Sequence, residues 1–498
     1  MARGTSEILE FYSGRSVFLT GGTGCVGKAI IEKLLRGCPK VRNIYVLVRD
    51  KRGVSAQQRL EILLHEPLFS PVQAALPNVL GKVKPIIGDI TMPGLGIGSD
   101  DLSLLRETVS VIIHSAATVK FDEALKLAMN INVGGTLRVL ELAKSMELIQ
   151  AVIYVSTAFS NCERAFIEEK VYPVSIEPQK ALEQCERLHH DWNVKEKLAG
   201  LLGDKPNAYT LTKHLAEEVI NQAHQNTSLP VCIVRPSIVA AAYTEPIPGY
   251  VDNYNGASGL LIGVLTGAIH TLLLNDEYKI DIIPLDYTVN AILAAAANLG
   301  MDGKGSSIQV YNLTSYKNPF VIPRILNSAK KSFFGRPFKN IVWYPTLHVT
   351  SSYLKFRLMN FFVHKIPAHL MDTLLGLRGG KKRFVRIYNK LWNNFGIVRY
   401  FCTRKWEFQT GNSTVLFESL SPEDQLRFPF LPCHINWDTY IYFYIQGLRK
   451  YTLKDEGDVK EAQRTVQKFQ ILHQLFTFLP LLPLIFALIL VVTEFRPV

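Results

Sequence analysis

Residues 17–35 read VFLTGGTGCVGKAIIEKLL, an apolar run, a glycine-rich turn and then helical periodicity. A strand that enters a helix through such a turn opens a dinucleotide-binding βαβ unit. Gly21, Gly22, Gly24 and Gly27 fit both GxGxxG and GxxGxxG spacing. Without Cβ atoms the backbone can approach a pyrophosphate held at the positive end of the helix. Thr20, Thr23, Cys25 and Val26 complete the loop and count with its cofactor-binding residues.

Working outward, further strands read NIYVLVRD (43–50), VKPIIGDI (83–90), VSVIIHSAA (109–117), AVIYVSTAF (151–159) and LPVCIVRPSIV (229–239). Helical patterns such as MNINVGGTLRVLELAKSM (129–146) and YTLTKHLAEEVINQAHQ (209–225) lie between them. Strands apolar throughout, alternating with amphipathic helices, predict an α/β fold with a Rossmann-type doubly wound parallel sheet. This domain is expected over residues 1–345. Beyond it aromatics and bases dominate with little strand alternation, which predicts a smaller, mainly helical C-terminal domain over 346–455. A polar linker is expected over 456–470, within KDEGDVKEAQRTVQKF (454–469).

The chain then reads ILHQLFTFLPLLPLIFALILVVT (471–493), and from Leu475 to Val492 only Thr477 interrupts the apolar run. Its length and its lack of a polar stripe predict a C-terminal transmembrane helix over 471–493. Pro480 and Pro483 are tolerable in such a helix. The earlier stretch 354–377 is amphipathic but carries Lys355, Arg357, His364 and Lys365, so it reads as interfacial or packed.

A chain of 498 residues exceeds one ordinary core. The formal charge of +12 fits a phosphate-bearing cofactor and substrate. No zinc-finger or RNA-binding signature accompanies it, so nucleic acid is not expected as a partner. Seven cysteines form no CxxC pair, which argues against a disulfide framework and against a metal site. The first residues lack the apolar core of a signal peptide, so the body is expected to face the cytosol.

The second strand ends at Arg49, where an NAD enzyme usually places an acid on the ribose 2′-hydroxyl. Arg49 instead offers a cationic fork to a 2′-phosphate, which points to NADPH, with Lys51 close by. Asp50 follows directly, and one residue of misregister favours NAD. Asp89, which ends the third strand, is a candidate for the adenine edge. Ile90, Ala116, Ala117, Arg235 and Pro236 are assigned as further cofactor contacts. His114 is read as packing near the cofactor.

Tyr209 and Lys213 stand four apart and share a helix face. A phenol is a poor acid–base group at neutral pH, and an ammonium one turn away favours its phenolate. Both are also candidates for contact with the nicotinamide ribose. Ser156 and Thr157 end the fifth strand, where a hydroxyl can steady a developing oxyanion, and Thr157 is preferred. Asn132 is a candidate to steady the lysine through a water, with helix capping as its other role.

TGGTGCVGK, HSAATVKF, NVGGT, YVST, YTLTK and RPSIV stand in the order seen in extended short-chain dehydrogenase/reductases. EPIPGYVDN, IIPLDYTVN, FVHKIPAHLMD, FCTRKWEFQTGN and FPFLPCHINWDTYIYFYIQGLRKY are more specific. With them nearly the whole chain resembles the alcohol-forming fatty acyl-CoA reductases of the animal, particularly the insect, type. The resemblance implies reduction of a long-chain acyl-CoA by NADPH to an aldehyde and then to a primary alcohol. It implies Tyr209 as proton donor, Lys213 as its activator and Thr157 as oxyanion partner, with Gly21, Gly24, Gly27 and Arg49 holding NADPH. Cys25 stands where an aromatic residue is often found. Membrane lipid is the expected second partner, at the endoplasmic reticulum or peroxisome, and a homodimer is left open. The competing expectations are a membrane-bound steroid or nucleotide-sugar dehydrogenase or epimerase, and a cofactor-binding scaffold without turnover.

Overall fold

The computed structural model describes residues 6–187, 200–274, 279–377 and 379–478. In chain order the first unit contains β1 (Ser16–Thr20), α1 (Cys25–Gly37), β2 (Asn43–Val48), β3 (Val83–Ile87), β4 (Val109–His114) and α2 (Gly135–Lys144). β5 (Ala151–Val155), α3 (Ala208–Asn226), β6 (Val231–Pro236), α4 (Leu285–Asp302) and β7 (Gln309–Leu313) follow. The strands form one sheet in the order β7-β6-β5-β4-β1-β2-β3, every pair parallel. The order reverses between β1 and β4, which places a crevice at the carboxyl ends of those two strands.

All residues of β1, β4, β5 and β6 are buried, because helices cover both faces of the sheet. α2 and α3 supply one layer, with Val139, Leu140, Leu211 and Leu215 in the core. α4 packs on α1 and β5 and is an alanine-rich helix buried almost all round. The short helix Glu7–Tyr12 also packs on α4, where a Cβ on Gly300 would lie 2.2 Å from the Phe11 ring. The six strands expected from the sequence are all present, and β7 is an addition to them.

The chain divides differently from the expected boundary at residue 345. One unit comprises 1–252, 279–320 and 404–440, and the other comprises 253–278, 321–403 and 441–498. The segment 404–440, expected in the C-terminal domain, therefore belongs with the sheet. Its strand Glu407–Phe408 pairs in parallel with Phe166–Ile167. Glu169 accepts hydrogen bonds from the Asn412 N–H (2.6 Å) and the Ser413 hydroxyl (2.7 Å), and the Trp406 indole donates to the Cys162 carbonyl (2.9 Å). These long-range bonds leave no periodic trace in the sequence.

The second unit is mainly helical, with Ile322–Gly335, Tyr353–Asn360, Ile366–Leu377, Phe384–Cys402 and Val459–Phe478 among its helices. A π turn, Phe361–Lys365, joins the second of these to the third. The expected linker at 456–470 is largely the start of the last helix, whose Phe469 and Phe476 rings meet Trp343. Among the described residues no helix is long and apolar enough to cross a membrane. Most of the expected anchor, from residue 479 onward, lies outside the described residues.

Candidate functional site

The loop after β1 shows why each glycine stands where it does. Gly21 has φ +76°, and a Cβ there would lie 2.6 Å from the Ala116 nitrogen. Added Cβ atoms at Gly22 and Gly27 would lie 2.4 Å from a Val46 methyl and 2.3 Å from the Gly21 carbonyl oxygen. These three are required by packing. At Gly24 a Cβ would meet only the Gly21 oxygen, at 3.3 Å, and the residue is exposed. Its N–H donates to that same oxygen (2.9 Å). Gly24, the N-cap of the thirteen-residue helix α1, brings no side chain to the helix start. An open glycine backbone at a helix N-terminus fits a pyrophosphate. Thr23 is exposed there, and Cys25 and Val26 are half-buried.

At the end of β2 the Arg49 guanidinium, 55% exposed, meets Asp89 at 2.7 Å. Burial alone would raise the Asp89 pKa, but the N–H and hydroxyl of Thr91 and the Arg49 charge hold it below its ordinary value. Asp50, the acid that complicated the cofactor choice, accepts the Ala56 N–H (2.7 Å) at the start of the next helix. Lys51 bridges to Val54 through the backbone. The Ile90 carbonyl accepts from Arg138 (2.9 Å).

Under the loop, His114 is buried between two hydroxyls, with Nδ1 2.7 Å from Thr20 Oγ1 and Nε2 3.0 Å from Thr136 Oγ1. Thr136 donates to the Asn132 carbonyl (2.6 Å), so its oxygen accepts the Nε2 proton, and Thr20 then donates to Nδ1. Thr20 in turn accepts the Ala116 N–H (3.3 Å). Burial pushes the imidazole pKa down to about 3, so His114 is a neutral strut. Ala116 and the adjacent Ala117 are half-buried beside the loop.

α3 begins at an Asn207 cap, whose side chain accepts the Thr210 N–H (2.9 Å). That cap puts Tyr209 in the first turn. Tyr209 is half-buried, its ring centroid 5.6 Å from that of Phe121. Burial raises its pKa to about 12, with the nearby Thr157 hydroxyl opposing. One turn on, the buried Lys213 donates to the Val155 carbonyl (2.7 Å), and its Nζ lies 4.6 Å from the Tyr154 ring centroid. Burial lowers its pKa to about 7, and the Glu217 charge opposes that fall.

Glu217, a further turn along, was not singled out from the sequence. It is fully buried and accepts from the Ser156 hydroxyl (2.5 Å) and from Arg235 Nε and Nη2 (2.8 and 2.7 Å). Burial alone would raise its pKa, yet Arg235 and Ser156 hold it below the usual carboxylate range. The i, i+4, i+8 spacing of Tyr209, Lys213 and Glu217 is the signal that could have found it.

Two expectations are corrected here. Arg235, assigned to the cofactor, is fully buried, and the Glu168 and Lys170 carbonyls (3.0 and 2.8 Å) take up Nη1 and Nη2, so it has no reach to a ligand. Pro236, the next residue, ends β6 at the carboxyl edge of the sheet. Asn132 does not take the helix-capping role that stood as its alternative. It sits in the π turn Met129–Gly134, accepts the Thr118 N–H (2.9 Å) and donates to Thr212 (2.9 Å), so it ties that loop to α3. Ser156 is occupied by Glu217, which leaves Thr157 as the hydroxyl beside Tyr209. The structure therefore gathers Thr157, Tyr209 and Lys213 at the carboxyl end of β5, and the glycine loop at that of β1.

This chain is similar to known proteins along nearly its whole length. Two family models, both described as "Male sterility protein", match residues 19–292 and 363–455. Fatty acyl-CoA reductase 2 of Mus musculus is 36% identical over 472 residues, covering 95% of this chain and 91% of the relative. Fatty acyl-CoA reductase 1 of Xenopus laevis is 37% identical over 459 residues, covering 92% and 88%. Among solved structures, the terminal R domain of a myxalamid PKS-NRPS pathway matches with TM-score 0.58 at 20% identity, covering 88% of this chain and 91% of that one. The reductase domain of a nonribosomal peptide synthetase from Mycobacterium tuberculosis matches with TM-score 0.56 at 18% identity, covering 89% and 95%. Those two likenesses establish the fold.

Proposed function

The chain belongs to the fatty acyl-CoA reductases, and on that premise we propose that it reduces a long-chain acyl-CoA through an aldehyde to a primary alcohol, using NADPH and releasing CoA. The observation that carries this reading is the Thr157–Tyr209–Lys213 arrangement at the sheet's carboxyl edge. NADPH, when bound, would supply one hydride for the thioester, and a second NADPH would supply the one for the aldehyde. Gly24 and the N-terminus of α1 would hold its pyrophosphate, and exposed Arg49 its 2′-phosphate. Asp50, spent on a helix start, is not available to a ribose hydroxyl.

Tyr209 and Thr157 both present O–H groups, so both can donate to a carbonyl oxygen as negative charge develops on it. In the first reduction the oxyanion collapses, the C–S bond breaks and the CoA thiolate leaves, giving the aldehyde. In the second the oxyanion takes the Tyr209 proton and becomes the alcohol. A high phenol pKa keeps that proton in place at neutral pH, and an alkoxide is a strong enough base to remove it. Lys213, held by the Val155 carbonyl, is positioned to stabilise the phenolate left behind.

The charge-free run Leu475–Val492 supports a C-terminal anchor over 471–493, with the catalytic unit facing the cytosol at the endoplasmic reticulum or peroxisome. An acyl chain partitions into membrane, so an anchor keeps enzyme and substrate together. The test is product analysis by gas chromatography, with detergent-solubilised protein, a series of acyl-CoAs and each nicotinamide cofactor. Fatty alcohol with two NADPH consumed per CoA thiol released is expected. Accumulation of aldehyde alone, or equal rates with NADH, would overturn the corresponding part of the reading.

A further inference from the structure

The helical run Tyr353–Leu377 of the second unit has its amphipathicity turned outward. Phe356, Asn360, Ala368 and Asp372, at intervals of four or eight, are its buried residues. Half-buried His364, on the same line, accepts the His270 N–H (3.0 Å), and Asp372 accepts the N–H groups of Arg383, Phe384 and Val385 (2.8, 2.9 and 2.9 Å). The inward line is thus largely polar. The line Leu354, Leu358, Phe362, Ile366, Leu370 and Leu374 is between 43% and 69% exposed, and Leu377 is 81% exposed. A helix at a water surface shows the reverse arrangement. The π turn Phe361–Lys365 slows the rotation that a regular α-helix imposes on a four-residue spacing, which keeps the row together.

Charge identifies what covers this row. Residues 353–402 contain ten Lys and Arg against one acid, Asp372, which is already engaged. A second copy would bring the same positive surplus to the contact. Residues 479–498 carry one acid, Glu494, and one base, Arg496, and offer no counter-charge. The last described helix of the same unit has Ile471, Leu472, Leu475 and Phe476 exposed near its end, and the charge-free terminal stretch follows in the sequence. An apolar row flanked by cations fits an anionic lipid surface, with the rings and branched chains among the acyl chains and the cations at the headgroups.

We propose that Tyr353–Leu377 lies flat on an anionic membrane as a contact separate from the terminal anchor. The test uses the full chain with Cys433→Ser and Leu377→Cys, the new thiol carrying an environment-sensitive fluorophore. The protein is reconstituted into phosphatidylcholine vesicles with or without one part in five phosphatidylserine. Blue-shifted emission, quenched by nitroxide-bearing lipids and stronger with phosphatidylserine, is expected, and Leu354→Cys should report the same from the other end of the row. Lys381→Glu, Lys382→Glu and Arg383→Glu together should abolish the phosphatidylserine gain, since each cation is worth roughly fivefold in partitioning. A label that stays in water in both vesicles would overturn the proposal. So would a blue shift that nitroxide lipids do not quench, because the row is then covered by protein, whether residues 479–498 or a second copy.

Discussion

Gly24 and Gly27 occupy one loop for different physical reasons, and alanine separates them. At Gly27 a methyl would lie 2.3 Å from a carbonyl oxygen, so Gly27→Ala should cost about 1–3 kcal/mol of stability, read by urea denaturation. At Gly24 the methyl faces space except for one oxygen at 3.3 Å. Gly24→Ala should therefore leave the denaturation midpoint nearly unchanged while weakening NADPH binding, measured by fluorescence titration. The spacing of the glycines was plain in the sequence, but which of them serves packing depends on Val46 of β2, on Ala116 beyond the end of β4 and on the loop's own Gly21 carbonyl. Lys213 carries a pH expectation of its own. Its pKa in the folded chain, about 7, lies below its ordinary 10.5, so the unfolded chain binds more protons between those values. Stability conferred by this group therefore rises with pH across that window. The denaturation midpoint of the parent should gain on that of Lys213→Met between pH 7 and 10, and a constant difference would refute the buried-lysine reading.

Helix α3 shows how much one element contributes. Its Asn207 cap sets Tyr209 in the first turn, and successive turns bring Lys213 and Glu217 onto the same face. Glu217 ties the helix to β6 through Arg235 and to the end of β5 through Ser156. Because both members of that ion pair are fully buried, removing one leaves the other charge unpaired. Glu217→Gln should cost about 3–5 kcal/mol, and Glu217→Gln with Arg235→Met should recover much of it. Equal losses in the single and double variants, by chemical denaturation, would show that the pair is not what couples helix to strand. The helix and its Tyr-x-x-x-Lys spacing were legible at once. Arg235 was misread because the carboxylate that engages it, Glu217, lies on another element.

At the scale of the whole molecule, hydrophobic periodicity told where the sheet lies but not where the chain returns to it. Residues 404–440 complete the sheet-bearing unit through Glu407–Phe408 and Glu169, contacts between segments far apart in sequence. Segment 253–278 leaves that unit for the helical one. Neither exchange alters composition or period, so neither could be read in advance. The terminal apolar run carries the expectation that alkaline carbonate leaves the chain in the membrane pellet, and that a stop codon after Phe478 releases it. The most direct measurement compares the parent with Tyr209→Phe for fatty alcohol formed from a long-chain acyl-CoA, with NADPH binding measured on the same samples. Alcohol formation reduced about 10²- to 10⁴-fold with NADPH binding retained is the expected result. Alcohol formation at the parental rate would contradict the assignment of Tyr209 as proton donor, and with it the chemistry proposed for this site.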